Sequence, residues 1–147
     1  PHIDATIKHI TAINEAALII GLAALIVGNF LGGVWANESW GRYWGWDPKE
    51  TWTYVSIIVY AIVLHLRFVK PLNNPFVFAS ASVVAFATII MTYVGVNFYL
   101  SGMHSYAAGD PLPFPTWAVY TVIVIIITIY LASRNRDLRD EICFSKK

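Results

Sequence analysis

The chain is predicted to be an all-α, polytopic membrane protein with four transmembrane helices and a tryptophan-rich loop on the outer side. Three observations predict it. Of 147 residues, 57% are hydrophobic and only 13% charged; the mean hydropathy is +0.58; and the apolar residues come in long blocks, not in an amphipathic period. A helix needs about 20 mostly apolar residues to cross the hydrocarbon core, and four segments, at about 10–34, 51–67, 76–100 and 115–133, meet that length. The second is short unless Trp52 and Arg67 stand at the two interfaces, where Arg67 can extend its head group outward with its stem in lipid.

Residues Asp4 to Asn14 are a polar lead-in or an extension of the first helix, in which Gly21, Gly28, Gly32 and Gly33 fall partly at four- and seven-residue spacing. That spacing is expected to let another helix approach closely. The loop at 35–50 follows, and it holds five of the six tryptophans together with the start of the second helix: Trp35, Trp40, Trp44, Trp46 and Trp52. Trp40, Tyr43 and Trp44 stand at i, i+3 and i+4, so a short interfacial helix is expected to show them on one face, with Gly41 and Gly45 leaving room for a ring against the backbone. Asp47-Pro48-Lys49-Glu50 has the residues of a helix start: Asp at the N-cap, Pro at the first position, Glu at the third. Asp47 and Glu50 are accordingly readable as caps or as chemical groups.

Lys70 to Pro75 is a tight turn between the second and third spans, and Ser101 to Pro115 is an irregular loop stiffened by prolines. The charge-alternating stretch from Arg134 to Lys147 reads as a solvated tail. With four spans both termini share a side, and that side carries Lys8, Arg67, Lys70, Arg134, Arg136, Arg139, Lys146 and Lys147 against Arg42 and Lys49 on the other. The positive-inside rule then places the termini and the 70–75 turn in the cytoplasm, and the tryptophan and 100–115 loops outside. The net charge of +1 reflects this topology and implies no nucleic-acid partner. Cys143 is the single cysteine, so the chain has neither a disulfide nor the C-x-x-C-H motif of a c-type cytochrome. Starting at Pro1 without an initiator Met, the sequence reads as a piece of a longer polypeptide.

Tryptophan is large and flat and favours either a membrane boundary or the face of another planar ring system. An interfacial belt is expected at both boundaries, whereas the cytoplasmic ends of these spans have no tryptophan. His104 lies in the other outer loop, on the same side as the tryptophan run, and imidazole is a usual protein ligand of haem iron. An aromatic shelf with one histidine above it matches a haem site; the plain alternative is a solvated loop histidine. His65 sits near the cytoplasmic end of the second span, where an ionisable residue is a functional candidate by default or an interfacial neighbour of Arg67. The 17 steps from Pro48 to His65 cover about 26 Å of helix, so His65 and His104 serve separate sites.

The run Trp40-Gly-Arg-Tyr-Trp44-Gly-Trp46-Asp47-Pro-Lys-Glu50-Thr resembles the W-G-x-x-W-x-W-D signature of the haem-handling protein family, which includes CcmC, CcmF and the CcsA/ResC-type cytochrome c synthetases. The continuation Asp-Pro-Lys-Glu-Thr-Trp and the later Gly95-Val-Asn-Phe-Tyr-Leu-Ser-Gly-Met-His104 look most like the CcsA type, and the similarity covers essentially the whole chain as the C-terminal part of such a protein. The resemblance implies that Trp40, Gly41, Trp44, Trp46 and Asp47 present haem b at the outer face, with His104 as one of two outer axial ligands of its iron. It implies that His65 is an axial ligand of haem within the membrane, during passage from the cytoplasm. It further implies apocytochrome c as the substrate whose C-x-x-C-H thiols form thioether bonds, a CcsB/ResB-like component as partner, and the bacterial inner membrane as location. No residue here fills the place of the partner outer histidine or of the first transmembrane histidine. The full-length protein would be a holocytochrome c synthase and this piece alone is expected to be inactive. Two other readings predict different residues: a b-type haem subunit of a respiratory complex calls for paired histidines inside the bilayer, and a plain membrane anchor calls for tryptophans at both interfaces.

Overall fold

The computed structural model describes residues 2–104 and 113–145, with side chains over 3–104 and 113–136. Among the described residues the only regular elements are helices, four of them long and apolar enough to cross a membrane: Ile3–Trp40, Pro48–Phe68, Pro75–Tyr99 and Thr116–Arg136. The chain divides into two compact units, residues 1–112 and 113–147.

In the first unit, α1 (His2–Trp40) runs for 39 residues, about 58 Å at 1.5 Å per residue. The polar lead-in is thus its first turns, and the helix passes beyond the expected span to take in Trp35 and Trp40, which the sequence assigned to the loop. It stops at Gly41, whose φ of 71° is a left-handed conformation open to glycine at little cost. The Gly41 N–H still donates to the Asn37 carbonyl at 2.8 Å. Residues 41–47 are irregular, so the short interfacial helix through Trp40, Tyr43 and Trp44 does not form; the left-handed break at Gly41 separates Trp40 from the other two.

The second helix, α2 (Pro48–His65), starts at the expected capping box: Asp47 accepts the Lys49 N–H while Glu50 accepts the Asp47 N–H. Two short 3₁₀ turns, Leu66–Phe68 and Lys70–Leu72, lead to α3 (Pro75–Ile90), where Asn74 accepts the Phe76 N–H at 2.8 Å ahead of Pro75. A π-helical turn, Met91–Gly95, joins α3 to the short α4 (Val96–Tyr99). Such insertions shift the helix register by one residue and recur at functional sites.

These helices pack around Tyr60, Val63, Phe78 and Ala85, with Leu18, Leu22, Val59 and Ile89 against them. In lipid the apolar surface gives little reason to associate, and close packing with interhelical hydrogen bonds does so instead, at about 0.6 kcal/mol per bond. Asn14 donates to Ser82 at 3.1 Å between α1 and α3, and the hydroxyls of Ser56 and Thr92 pair at 3.1 Å between α2 and the π turn. Glu15, in the N-terminal half of α1, pairs with Arg67 in the 3₁₀ turn that follows α2. The outward surfaces carry exposed Ile20, Val27, Phe30, Ile58, Ile62 and Val84, as a lipid-facing exterior requires. In the second unit α5 (Thr116–Ser145) is a single helix that continues through most of the expected tail. The loop beyond His104, residues 105–112, and the side chain of Cys143 lie outside the described residues.

Candidate functional site

The ends of α1, α2 and α4 meet at one end of the first unit, and there the 41–47 segment meets Gly102, Met103 and His104. Asp47 joins them. Its Oδ1 accepts the Met103 N–H at 2.6 Å, and its Oδ2 lies 2.8 Å from His104 Nδ1 and 3.2 Å from the Lys49 N–H. The capping residue of α2 is therefore also what holds the histidine loop. The loop approaches so closely that a Cβ at Gly102 would lie 2.5 Å from Asp47 Oδ1 and 2.8 Å from Pro48 Cδ, so only glycine fits. Burial of the Asp47 carboxyl raises its pKa, but hydrogen bonds from His104, Met103 and Lys49 outweigh that and hold it below the ordinary carboxylate value.

With Nδ1 engaged by Asp47, His104 keeps Nε2 for another partner, the arrangement in which a carboxylate orients a metal-binding imidazole. Aromatic edges fix the ring: Trp40 stands against His104 with centroids 5.0 Å apart at 81°, and Trp35 against Trp40 at 5.0 Å and 79°. Trp44 packs edge-on with Trp46 and Tyr54.

His104 lines a cavity of about 350 Å³ walled by Trp35, Tyr43 and Trp44 and floored by the small residues of α1, Ala24, Gly28, Gly32 and Gly33. Gly28, Gly32 and Gly33, three of the four glycines expected to serve helix packing, thus border this cavity, and Gly21 does not. A Cβ at Gly28 or Gly32 would meet nothing within 4 Å, because those positions face the open cavity. Gly33 is different: its Cβ would lie 3.3 Å from the Tyr43 carbonyl, where the loop folds back onto α1. Asn29, Lys49, Glu50 and Thr53 add polar groups to the wall. Of these Glu50 is committed to the backbone, its Oε2 accepting the Gly45 N–H at 2.7 Å and the Asp47 N–H at 3.2 Å.

Of the residues expected in the site, Trp44 and His104 line this cavity, while Trp40 and Asp47 hold His104 from behind. Gly41 acts as the stop of α1. Trp46 is not among the residues lining the cavity; it is 71% accessible, with a left-handed φ of 57°, a conformation costing a non-glycine residue roughly 1–2 kcal/mol. His65 is far from this cavity, exposed at the opposite end of α2; its Nδ1 pairs with the Ala61 carbonyl at 2.7 Å and its ring lies against Phe68. The sequence reading missed Lys49, Asn29, Thr53 and the α1 floor. The glycine spacing was the available signal for the floor, and it serves helix contacts and ligand cavities equally.

Cavity and scaffold define a polytopic helical membrane protein with an aromatic, glycine-floored cavity beside one imidazole that a carboxylate orients. The sequence model described as "Cytochrome C assembly protein" matches residues 4–104, and the chain belongs to that family. It is 60% identical over 111 residues to protein NrfI of Wolinella succinogenes, covering 76% of this chain and 12% of that one. The cytochrome c biogenesis protein CcsA of Phaseolus vulgaris is 46% identical over 92 residues, 60% of this chain and 27% of its own. Its namesake in Prochlorococcus marinus is 40% identical over 101 residues, 67% of this chain and 32% of its own. The chain therefore spans between about an eighth and a third of the length of these relatives.

Proposed function

We propose that this chain forms the haem-presenting site of a cytochrome c biogenesis protein, holding haem b at the outer membrane face for attachment to apocytochrome c. The observation that carries the reading is His104, oriented through Nδ1 by Asp47 with Nε2 left for iron, on the wall of a cavity with aromatic sides and a glycine floor. These residues suit haem: imidazole supplies an axial ligand, the indole and phenol rings supply apolar faces and edges for a planar macrocycle, and the glycines leave room for it.

Haem is the substrate here, and it brings the vinyl groups that receive the cysteine S–H bonds of C-x-x-C-H, sulfur to the inner vinyl carbon and hydrogen to the outer, with no net redox change. The chain's own contribution is to bind and orient. Asp47 fixes the imidazole, Trp40 and Trp35 brace it, and Tyr43 and Trp44 line the cavity. Holding two reactants in place accounts for much of the acceleration open to such a site. No residue of this chain is assigned as the second outer axial ligand, and a CcsB/ResB-like component, upstream or as a separate partner, is expected to join it for the full synthase activity. His65, at the other end of α2, serves haem on its way through the membrane.

The test is an oxidised and dithionite-reduced absorption spectrum, with a pyridine haemochrome assay, on the intact membrane protein and its His104→Ala variant. Haem b in the parent, lost or spectrally altered in the variant and partly restored by imidazole, is the expected outcome. Unchanged haem content and unchanged cytochrome c maturation in His104→Ala would remove the ligand role.

A further inference from the structure

Lys49 is the one Lys or Arg among the described residues that line the cavity. Its ammonium donates to the side-chain carbonyl of Asn97 at 2.9 Å, and Asn97 is itself buried, 4% accessible. The neighbouring acids are occupied elsewhere: Asp47 by His104, Met103 and the Lys49 backbone N–H, Glu50 by the backbone of Gly45 and Asp47. Among the described residues the cation on the cavity wall is therefore held by a neutral amide and has no carboxylate partner. A partly buried charge in that state favours an anion arriving with the ligand. Asn97 reaches it from the turn of α4 that directly follows the π-helical insertion Met91–Gly95, so that irregularity acquires a purpose: it sets the register that aims Asn97 at Lys49.

Resting on the haem reading above, we infer that Lys49, positioned by Asn97, binds a carboxylate of the porphyrin and so fixes its rotation in the cavity. The two propionates of haem b lie on one edge of the ring and the vinyl groups away from it. Anchoring the carboxylate edge at Lys49 sets which edge is offered to the apocytochrome thiols.

The experiment is a Soret titration of the intact membrane protein in detergent with iron protoporphyrin IX and with its dimethyl ester, in which both carboxylates are masked. The wild type binds the free acid more tightly than the ester, on the order of ten- to a hundred-fold, the range of one hydrogen bond to a charged group. Lys49→Gln loses most of that preference and binds the ester as the wild type does. Lys49→Arg retains the preference, and Asn97→Ala reduces it. Equal affinity of the wild type for acid and ester overturns the proposal while leaving the haem site standing, and so does an equal loss of both ligands in Lys49→Gln, which marks a packing role. Should the wild type bind neither porphyrin, the haem reading falls and this inference with it.

Discussion

At the scale of single residues, Asp47 has two duties that sequence patterns treat as alternatives. It caps α2 and it holds His104. Asparagine caps a helix nearly as well as aspartate, but its single carbonyl oxygen cannot accept at both Oδ positions, so Asp47→Asn should cost about 1–3 kcal/mol in thermal unfolding through the buried N–H left facing its amide. The same change removes the negative charge behind the imidazole, and loss of such a partner lowers metal affinity by about 10–100-fold. Haem titration of Asp47→Asn checks this, and wild-type affinity would reduce Asp47 to a cap. The carboxyl also gives a pH dependence. Its folded pKa is depressed from the ordinary 3.8, so its stabilisation is fully present above that value and is lost as the pH falls through the lower folded value. Acid unfolding below pH 4 should accordingly be shallower in Asp47→Asn than in the parent.

At the scale of elements, α1 decides how much room a ligand has. Its glycine face floors the cavity, and a side chain at Gly28 or Gly32 would enter open space without striking a neighbour. Gly32→Leu is therefore expected to fill the cavity and lower haem content several-fold while leaving the melting temperature equal or higher, since leucine is also the better helix former. Haem retention at the parent's level in a well-folded Gly32→Leu protein would move the binding surface away from α1. The π-helical turn after α3 is the second element with a local task. It turns Asn97 toward Lys49 at a point where an uninterrupted α-helix would carry a different residue.

At the scale of the whole molecule, the distribution of Lys and Arg predicts an orientation, with the 70–75 turn in the cytoplasm and the His104 cavity outside. In a Cys143→Ser background, a membrane-impermeant maleimide applied to intact cells should label Ser39→Cys and spare Asn73→Cys until the membrane is opened; the reverse pattern would invert the topology. The number of spans, the helical class and the start of α2 were legible in the sequence, because apolar length and capping chemistry act locally and leave their mark on consecutive residues. The Trp40-to-Asp47 run and His104 were legible as a candidate site by residue type and by resemblance. Three things were decided only by the tertiary structure. Trp40 belongs to the end of α1, since the left-handed turn at Gly41 and not the aromatic spacing sets where that helix stops. Gly28 and Gly32 border a cavity, because helix contact and ligand space call for the same small residues. Asp47 meets His104 and Lys49 meets Asn97 across 57 and 48 residues, and pairings that distant depend on how α1, α2 and α3 pack, which no local pattern encodes.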